Sequence, residues 1–309
     1  MRVLGHPCLV LALAASLLGV ARGADEPRVI PLWPEGVPGL RSDASEEVVL
    51  EGGRFTNIHH PSISVYPADS AKSVRTGVVF SAGGGYVRVS IGEGGGAETR
   101  WLNSLGVTVF VLKYRHKEYG QPAPLQDVLR AIRIVRSRAE EFGVAPDRIG
   151  VAGGSAGAHV SASAATLWDA PEGVTNTALD AISARPDFAI LVYPVVTMAE
   201  PHAHGGSRRA LLGENPSPAV VERWSIERQV RRDMPPVFLV ATMADKSVPV
   251  ENTLHLYQAL RDAGVPTEMH VYAAGSHGNS RDPQYGPTAL WPERAEEWMR
   301  FNGWLTRAR

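Results

Sequence analysis

The chain has 309 residues, of which 44% are hydrophobic and 20% are charged, a balance typical of an ordinary globular protein. This length can bury a sizeable core and allows one large domain or two small ones. With 31 basic and 32 acidic side chains, the formal net charge is -1, and no run of lysine or arginine is long enough for a nucleic-acid patch. We therefore expect no nucleic-acid partner.

The first 23 residues have the pattern of a cleaved signal peptide. Arg2 supplies positive charge, an almost unbroken apolar run covers 8–20, and small residues at Ala21 and Gly23 resemble a signal-peptidase site. The run is too short to span a bilayer comfortably, and as a packed helix it would expose a wholly apolar surface to water. We expect a signal peptide over 1–23, a catalytic domain over 24–309 and no membrane anchor after cleavage.

Cys8 is the only cysteine of the chain and lies within this leader, away from any lipobox near the cleavage point. The mature protein would contain no cysteine, which excludes a disulfide, a cysteine nucleophile and cysteine-ligated zinc. An exported protein of this kind suits a bacterial periplasm or exterior, so the predicted location is secreted or periplasmic.

Beyond the leader, a Pro- and Gly-rich arm at 29–40 is followed by alternating strand and helix patterns. Apolar runs predict strands over 62–66, 76–81, 107–113, 148–152, 188–194, 237–242 and 268–272, several of them buried on both faces. Helical patterns lie between them at 125–135, 158–167 and 252–263, and a last helix is predicted from 292 to about 305. This alternation predicts a single α/β domain with a mostly parallel central sheet and helices on both faces.

The strongest chemical signal is the segment GGSAG at 153–157, between the predicted strand 148–152 and a helix rich in small residues. A serine on such a tight strand-to-helix turn is strained, and only small neighbours allow the turn that exposes its hydroxyl. The alternative is a Gly-rich turn of some other α/β fold. The context favours Ser155 as a nucleophile.

A serine hydroxyl needs a base to accept its proton. His277 follows the last predicted strand, and Asp245 follows the strand at 237–242. Taken alone, Asp245 would be a helix cap and His277 a residue of a surface turn. The order Ser155, Asp245, His277, each on the loop after a different strand, is that of the α/β-hydrolase fold and predicts a catalytic triad.

The segment SAGGGY at 81–86 also ends an apolar strand. Its glycines allow backbone N–H groups to approach a substrate oxyanion, and we assign the oxyanion hole to the N–H groups of Gly84, Gly85 and Ala156. The alternatives are a flexible turn or a phosphate-binding loop, but no Gly-Lys-Ser/Thr ending follows. Tyr86, beside this loop, is predicted to face the substrate.

Histidines outside this set do not have the spacing of a metal site. His59, His60, His202 and His204, with Glu200, lack the helical spacing of a zinc site and are predicted to be loop residues. His159, which follows Ser155 on the next helix, is predicted to be a core histidine. We expect neither a metal nor a cofactor.

Short segments along the mature chain carry a family resemblance. They are PLWPEG at 31–36, AGGGY at 82–86, WLN at 101–103, PAPLQD at 122–127, PDRIG at 146–150, LLG at 211–213, and the loops of Asp245 and His277. In these segments the chain resembles the bacterial α/β-hydrolase family that contains acetylxylan esterases and feruloyl-esterase-like enzymes. The resemblance implies a Ser-His-Asp esterase acting on acyl groups of plant-type polysaccharides. The chain departs from it at Ala244, where relatives often carry a second aspartate, and at Gly154, where many have a bulkier residue.

The leading hypothesis is a serine carboxylic-ester hydrolase that removes acetyl or other small acyl groups from xylan-type polysaccharides or oligosaccharides. A serine exopeptidase shares the fold and triad, but such enzymes commonly carry a large extra domain for which this chain has no room. A non-catalytic glycan-binding relative is disfavoured because all three triad residues are present. The segment 92–96 is too rich in glycine to form a bulky lid, which predicts a preference for acetyl over long acyl chains. The acyl group, the sugar and the oligomeric state stay open.

Overall fold

A computed structural model of the protein describes residues 27–43, 45–278 and 281–306. The signal peptide predicted over 1–23 lies outside these residues. It therefore stays a prediction, as does the single domain predicted over 24–309. Among the described helices, none is long and apolar enough to cross a membrane.

The strands combine into one large and one small sheet. In chain order they are β1 (Arg28–Pro31), β2 (Val48–Leu50), β3 (Arg54–Thr56), β4 (Ser62–Tyr66), β5 (Gly77–Ser81), β6 (Val89–Ser90), β7 (Thr108–Lys113), β8 (Ile149–Gly154), β9 (Ala189–Val192), β10 (Val237–Thr242) and β11 (Thr267–Tyr272). Within the described residues, the central sheet has eight strands in the order β1-β4-β7-β5-β8-β9-β10-β11. The pairs from β7 to β11 are parallel, whereas β4 is antiparallel to both β1 and β7. The strands β2, β3 and β6 form the small antiparallel sheet.

Helices flank the central sheet. They are α1 (Gly96–Ser104), α2 (Ala123–Ser137), α3 (Ala156–Thr166), α4 (Gly205–Leu212), α5 (Pro218–Trp224), α6 (Glu251–Asp262) and α7 (Trp291–Phe301). The helix α2 places a continuous apolar face toward the core, and α3, made largely of small residues, is buried along its whole length between α2 and the sheet. Because the side chains of α3 are mostly small, the helix can pack close to β8 and β9.

The core explains why the central strands could be predicted. The strands β5 and β10 are buried at every position, as expected where both faces of a parallel sheet are covered. Every predicted strand is present within two residues of its predicted ends. The short strands β1, β2, β3 and β6 and the helices α1, α4 and α5 were not predicted, and the last helix ends at Phe301 rather than near 305.

Candidate active site

Ser155 occupies a strained turn between the end of β8 and the start of α3. Its backbone takes φ 58° and ψ -127°, a conformation that costs a residue with a side chain roughly 1–3 kcal/mol. The turn is held by a hydrogen bond of 3.1 Å from the Ser155 N–H to the Val192 carbonyl. The Ser155 carbonyl accepts from the N–H of Ala158 at 3.1 Å and thereby starts α3. The hydroxyl does not cap this helix and can point away from it.

The glycines beside Ser155 are required by the close approach of two chain segments. A Cβ atom on Gly153 would lie 2.5 Å from the Gly157 carbonyl oxygen, and a Cβ on Gly157 would collide with the carbonyl oxygen of Ser81. Real Cβ contacts are never that short, so neither position accepts a side chain. The turn that exposes Ser155 thus depends on both glycines, as the sequence pattern predicted.

The structure brings Ser155, His277 and Asp245 together in a hydrogen-bonded chain. The Nε2 atom of His277 lies 2.8 Å from the Ser155 hydroxyl, and its Nδ1 atom lies 2.6 Å from Oδ2 of Asp245. The Asp245 carboxylate can only accept while it is ionised, so Nδ1 carries the proton and Nε2 is left to accept from the serine. The arrangement has the geometry of a nucleophile, a base and a residue that orients the base.

Asp245 is held in the ionised form that this tautomer requires. Its side chain is 2% exposed, and burial raises the pKa of the carboxyl group. Hydrogen bonds from His277 and from the N–H groups of Val248 and Ser247, together with the charge of His277, outweigh burial and bring the pKa below its usual 3.8. The two backbone groups donate to Oδ1 at 3.0 and 2.8 Å. The carboxylate is therefore charged at neutral pH and has a fixed orientation.

The Gly-rich loop after β5 lies beside Ser155. Gly84 and Gly85 take φ values of 144° and 64°, and a Cβ on Gly84 would collide with the Arg88 carbonyl. Within the described part of the chain, the N–H groups of Gly84, Gly85 and Ala156 donate to no acceptor. Gly84 and Gly85 also line the cavity above Ser155. These donors are available to an oxyanion, which is the role predicted for them.

A cavity of about 570 Å³ opens at Ser155 and His277. One part of its lining is buried and apolar and includes Phe80, Leu102, Ile190, Val192 and Trp291. The other part is polar and half-buried or exposed, and it includes Arg88, His204, Gly206, Ser247 and Gly278. The Ser155 hydroxyl thus lies at a cavity lined both by buried apolar side chains and by polar residues that reach solvent.

A family model named BD-FAE matches residues 63–260, well over half of the chain. The chain belongs to the BD-FAE family. Ser155 and Asp245 lie within the residues that match the model, and His277 lies beyond them. The family resemblance stated from the sequence is confirmed.

Two characterised proteins resemble this BD-FAE chain over part of their own length. The endo-1,4-beta-xylanase B of Butyrivibrio fibrisolvens is 36% identical over 205 residues, which are 63% of this chain and 31% of that protein. The acetylxylan esterase of Xylanibacter ruminicola is 32% identical over 205 residues, which are 65% of this chain and 40% of that protein. The chain therefore spans less than half the length of either relative.

Solved structures support the fold over most of the BD-FAE chain. The acetyl ester-xyloside bifunctional hydrolase of Caldicellulosiruptor lactoaceticus matches with a TM-score of 0.79 and 36% identity over 90% of this chain and 97% of that one. A thermophilic esterase of Thermogutta terrifontis matches with a TM-score of 0.67 and 24% identity, over 86% of this chain and 97% of that one, which is a likeness of fold alone. The predicted α/β-hydrolase fold, with a mostly parallel sheet flanked by helices, is confirmed.

The prediction that Tyr86 faces the substrate is wrong. Its side chain is fully buried and does not line the cavity. The hydroxyl lies 2.7 Å from Nδ1 of His159, and the Nε2 atom of His159 lies 2.9 Å from the Trp224 carbonyl. The buried histidine needs a partner at each ring nitrogen, and Tyr86 supplies one of them. His159 itself is fully buried, as predicted.

The aromatic side chains that do line the cavity of this BD-FAE protein were not predicted. They are Phe80, Trp101, Tyr193 and Trp291. The centroids of the Tyr193 and His277 rings are 4.8 Å apart, in an edge-to-face arrangement. A Cβ atom built on Gly154 would lie 3.1 Å from Cε2 of Tyr193. Glycine at 154 therefore leaves the space that Tyr193 fills. The signal that could have identified Tyr193 is its position directly after β9, at the sheet edge where Ser155 lies.

The other histidines that were considered as metal ligands are His59, His60, His202 and His204. In the part of the chain that the structure describes, no group of three or more His, Cys, Asp or Glu residues could hold a metal ion. His202 lies 3.9 Å from Glu251, whereas His204 is the N-cap of α4 and lines the cavity. His204 lies on a loop, as predicted, and it also belongs to the candidate active site, which the sequence did not indicate.

Proposed function

We propose that this protein is a serine carboxylic-ester hydrolase that removes acetyl or other small acyl groups from xylan-type polysaccharides or oligosaccharides. Ser155 is the nucleophile, His277 is the general base and Asp245 orients His277. The observation that carries the proposal is the hydrogen-bonded chain from Ser155 through His277 to the charged Asp245, placed at a cavity. The Ser155 hydroxyl needs this arrangement to react, because alone it is a weak nucleophile.

In the first step, the Ser155 oxygen attacks the ester carbonyl carbon while Nε2 of His277 accepts the hydroxyl proton. The carbonyl oxygen becomes an oxyanion and accepts hydrogen bonds from the N–H groups of Gly84, Gly85 and Ala156. The bond between the carbonyl carbon and the sugar oxygen then breaks. The imidazolium of His277 donates its proton to that oxygen, so the sugar leaves as an alcohol and the acyl group stays on Ser155.

In the second step, water attacks the acyl-enzyme carbonyl and gives its proton to His277. The bond to the Ser155 oxygen breaks, that oxygen takes the proton back, and the free acid leaves. Throughout, the negative charge of Asp245 stabilises the imidazolium that forms transiently.

The names of the relatives support the polysaccharide substrate. An acetylxylan esterase, a xylanase and an acetyl ester-xyloside hydrolase all resemble the chain. Secretion or export to the periplasm is part of the proposal, because a polysaccharide is too large to enter a cell. The leader pattern over 1–23 supports this location.

The proposal is tested by the variant Ser155→Ala and a panel of substrates. Loss of the nucleophile should lower kcat/KM for p-nitrophenyl acetate by at least about 10⁴-fold while the thermal unfolding midpoint changes little. A matched control is Ser276→Ala, whose hydroxyl lies 3.1 Å from that of Tyr285, outside the triad. It should keep the wild-type rate.

The same enzyme preparation is then assayed for acid release from acetylated xylan and feruloylated arabinoxylan, and for cleavage of an aminoacyl anilide. Acetate release from xylan that exceeds anilide cleavage supports the proposed class. Anilide cleavage that dominates would instead identify an exopeptidase, and wild-type activity in Ser155→Ala would reject the nucleophile.

A further inference from the structure

His204 has an unused hydrogen-bond donor at the substrate cavity. The residue is the N-cap of α4 and lines the cavity together with Ser155 and His277. It lies beside the Gly-rich loop, because a Cβ built on Gly85 would be 3.9 Å from its Cε1 atom. The steps assigned to the triad do not use this side chain.

The hydrogen bonds of His204 fix its tautomer. Its Nδ1 atom accepts from the backbone N–H of Ser207 at 3.2 Å and lies 2.8 Å from the Ser207 hydroxyl. Burial lowers the pKa of His204, and the charges of His277 and Arg209 lower it further against the opposing effect of Asp245, so the ring is neutral at neutral pH. A neutral ring that accepts at Nδ1 carries its proton on Nε2. Among the described residues, Nε2 has no hydrogen-bond partner.

The two kinds of lining residue suit the two halves of an ester differently. An acyl group is small and can be covered by buried apolar side chains, whereas the sugar continues into a polymer that must stay in solvent. We therefore expect the sugar half to contact lining residues that reach solvent. The half-buried His204 is one of these residues, as are the exposed Arg88 and Ser247.

We propose that the Nε2–H group of His204 donates a hydrogen bond to a sugar hydroxyl or ring oxygen, and so selects esters of carbohydrates over simple aryl esters. This inference rests on the proposed function, since it assigns the sugar side of the same site. A simple aryl ester has no sugar oxygen to accept this hydrogen bond, so its binding is not stabilised by His204. The expected effect is therefore on specificity for carbohydrate esters.

The test is the ratio of kcat/KM for an acetylated xylo-oligosaccharide to kcat/KM for p-nitrophenyl acetate. The variant His204→Asn keeps an oxygen that can cap α4 by accepting from Ser207 N–H, but its shorter side chain lacks the donor that reaches the cavity. We expect the ratio to fall about fivefold to tenfold, the value of one neutral hydrogen bond. The variant His204→Ser also retains a cap and should lower the ratio similarly, which guards against a defect peculiar to one substitution.

His202→Asn is the matched control, because this nearby histidine does not line the cavity. It should leave the ratio at the wild-type value, and thermal unfolding checks that each variant is folded. A ratio that is unchanged or raised in both His204 variants overturns the inference. This holds whether kcat/KM is unaffected for both substrates or falls equally for both. Failure of the proposed function would appear in the wild-type protein, as hydrolysis of p-nitrophenyl acetate without hydrolysis of the oligosaccharide. That result would overturn both the proposed function and the inference about His204.

Discussion

The side chains of the candidate triad are positioned by backbone groups close to them. Ser155 is fixed by its N–H bond to the Val192 carbonyl, and Asp245 by the two N–H groups that follow it in its own loop. The His277 loop is tied to β10, since the Thr242 hydroxyl donates to the Gly275 carbonyl at 2.8 Å. Each reactive group thus depends on main-chain geometry at the end of a strand.

Asp245 sets the tautomer of His277, so its replacement should change which ring nitrogen carries the proton. In Asp245→Asn, Oδ1 can still accept from Ser247 and Val248, so the loop should stay folded. The amide nitrogen would replace Oδ2 and donate to Nδ1 of His277, which moves the ring proton to Nε2. A protonated Nε2 cannot accept from Ser155, and kcat should fall by roughly 10³–10⁴-fold. Steady-state assays with p-nitrophenyl acetate measure this, and a loss below tenfold would reject the assigned role.

The proximity of Ser155, Asp245 and His277 could be predicted from the sequence because the positions of their loops decide it. Residues on loops after parallel strands meet at one sheet edge, whatever the side-chain details. Tyr86 was mispredicted because adjacency to the Gly-rich loop does not give the direction of a side chain. Its backbone takes φ 60°, and its ring is buried against His159. His204 was missed because a single histidine in a long connection has no periodicity, and only the fold brings it to Ser155.

Elements around the site are linked by a buried hydrogen-bonded chain. Tyr86 follows the Gly-rich loop, His159 lies on α3, and the Trp224 carbonyl ends α5. Because the carbonyl can only accept, Nε2 of His159 donates to it and Nδ1 accepts from Tyr86. The chain ties the loop of the predicted oxyanion donors to the helix that follows Ser155.

The titration of His159 makes the stability of the protein depend on pH. Burial, opposed in part by the Trp224 hydrogen bond, lowers the pKa of His159 to about 4. In the unfolded chain histidine binds a proton near pH ~6.5, so the unfolded state binds more protons between these values and stability falls as the pH falls through that window. The expected loss is about 3 kcal/mol between pH ~6.5 and pH ~4.

His159→Gln removes this titration and isolates its effect, because the carboxylates that also titrate are common to both proteins. At pH 7.5 the variant should be less stable than the wild type, since a buried packed side chain and its hydrogen bonds are altered. The difference should shrink by about 3 kcal/mol as the pH falls to ~4. Urea unfolding at several pH values measures it, and two parallel curves would contradict the prediction.

The elements predicted from the sequence are those with long, buried apolar runs. The strand β10 is buried at every position, which makes its pattern distinct. The strands β2, β3 and β6 have three, three and two residues, too few for any period to appear. The helix α1 begins at Gly96, within a segment whose glycines indicated only a loop, because its start depends on positive φ values at Gly94 and Gly95.

At the scale of the whole molecule, the strand order places β5, β8 and β9 side by side, and β10 and β11 next to them. The Gly-rich loop, Ser155, Asp245 and His277 therefore emerge along one edge of the sheet. The cavity at this edge is lined by more apolar side chains than the sequence indicated. Among them, Trp101 and Trp291 pack edge to face with their ring centroids 5.3 Å apart. These side chains give an acyl group an apolar surface.

The lining of that cavity predicts the acyl preference of the proposed esterase. The cavity of about 570 Å³ is lined by Trp101 and Trp291 and by buried apolar side chains such as Leu102. These side chains can cover an acetyl or butyryl group, whereas we expect octanoyl and palmitoyl chains to extend past them into solvent. We expect kcat/KM for p-nitrophenyl acetate to exceed that for the octanoyl ester by about tenfold or more. Leu102→Ala, which shortens one side chain of this lining, should shift the optimum toward longer chains. A wild-type rate that rises from acetyl to palmitoyl would contradict the prediction and indicate a lipase.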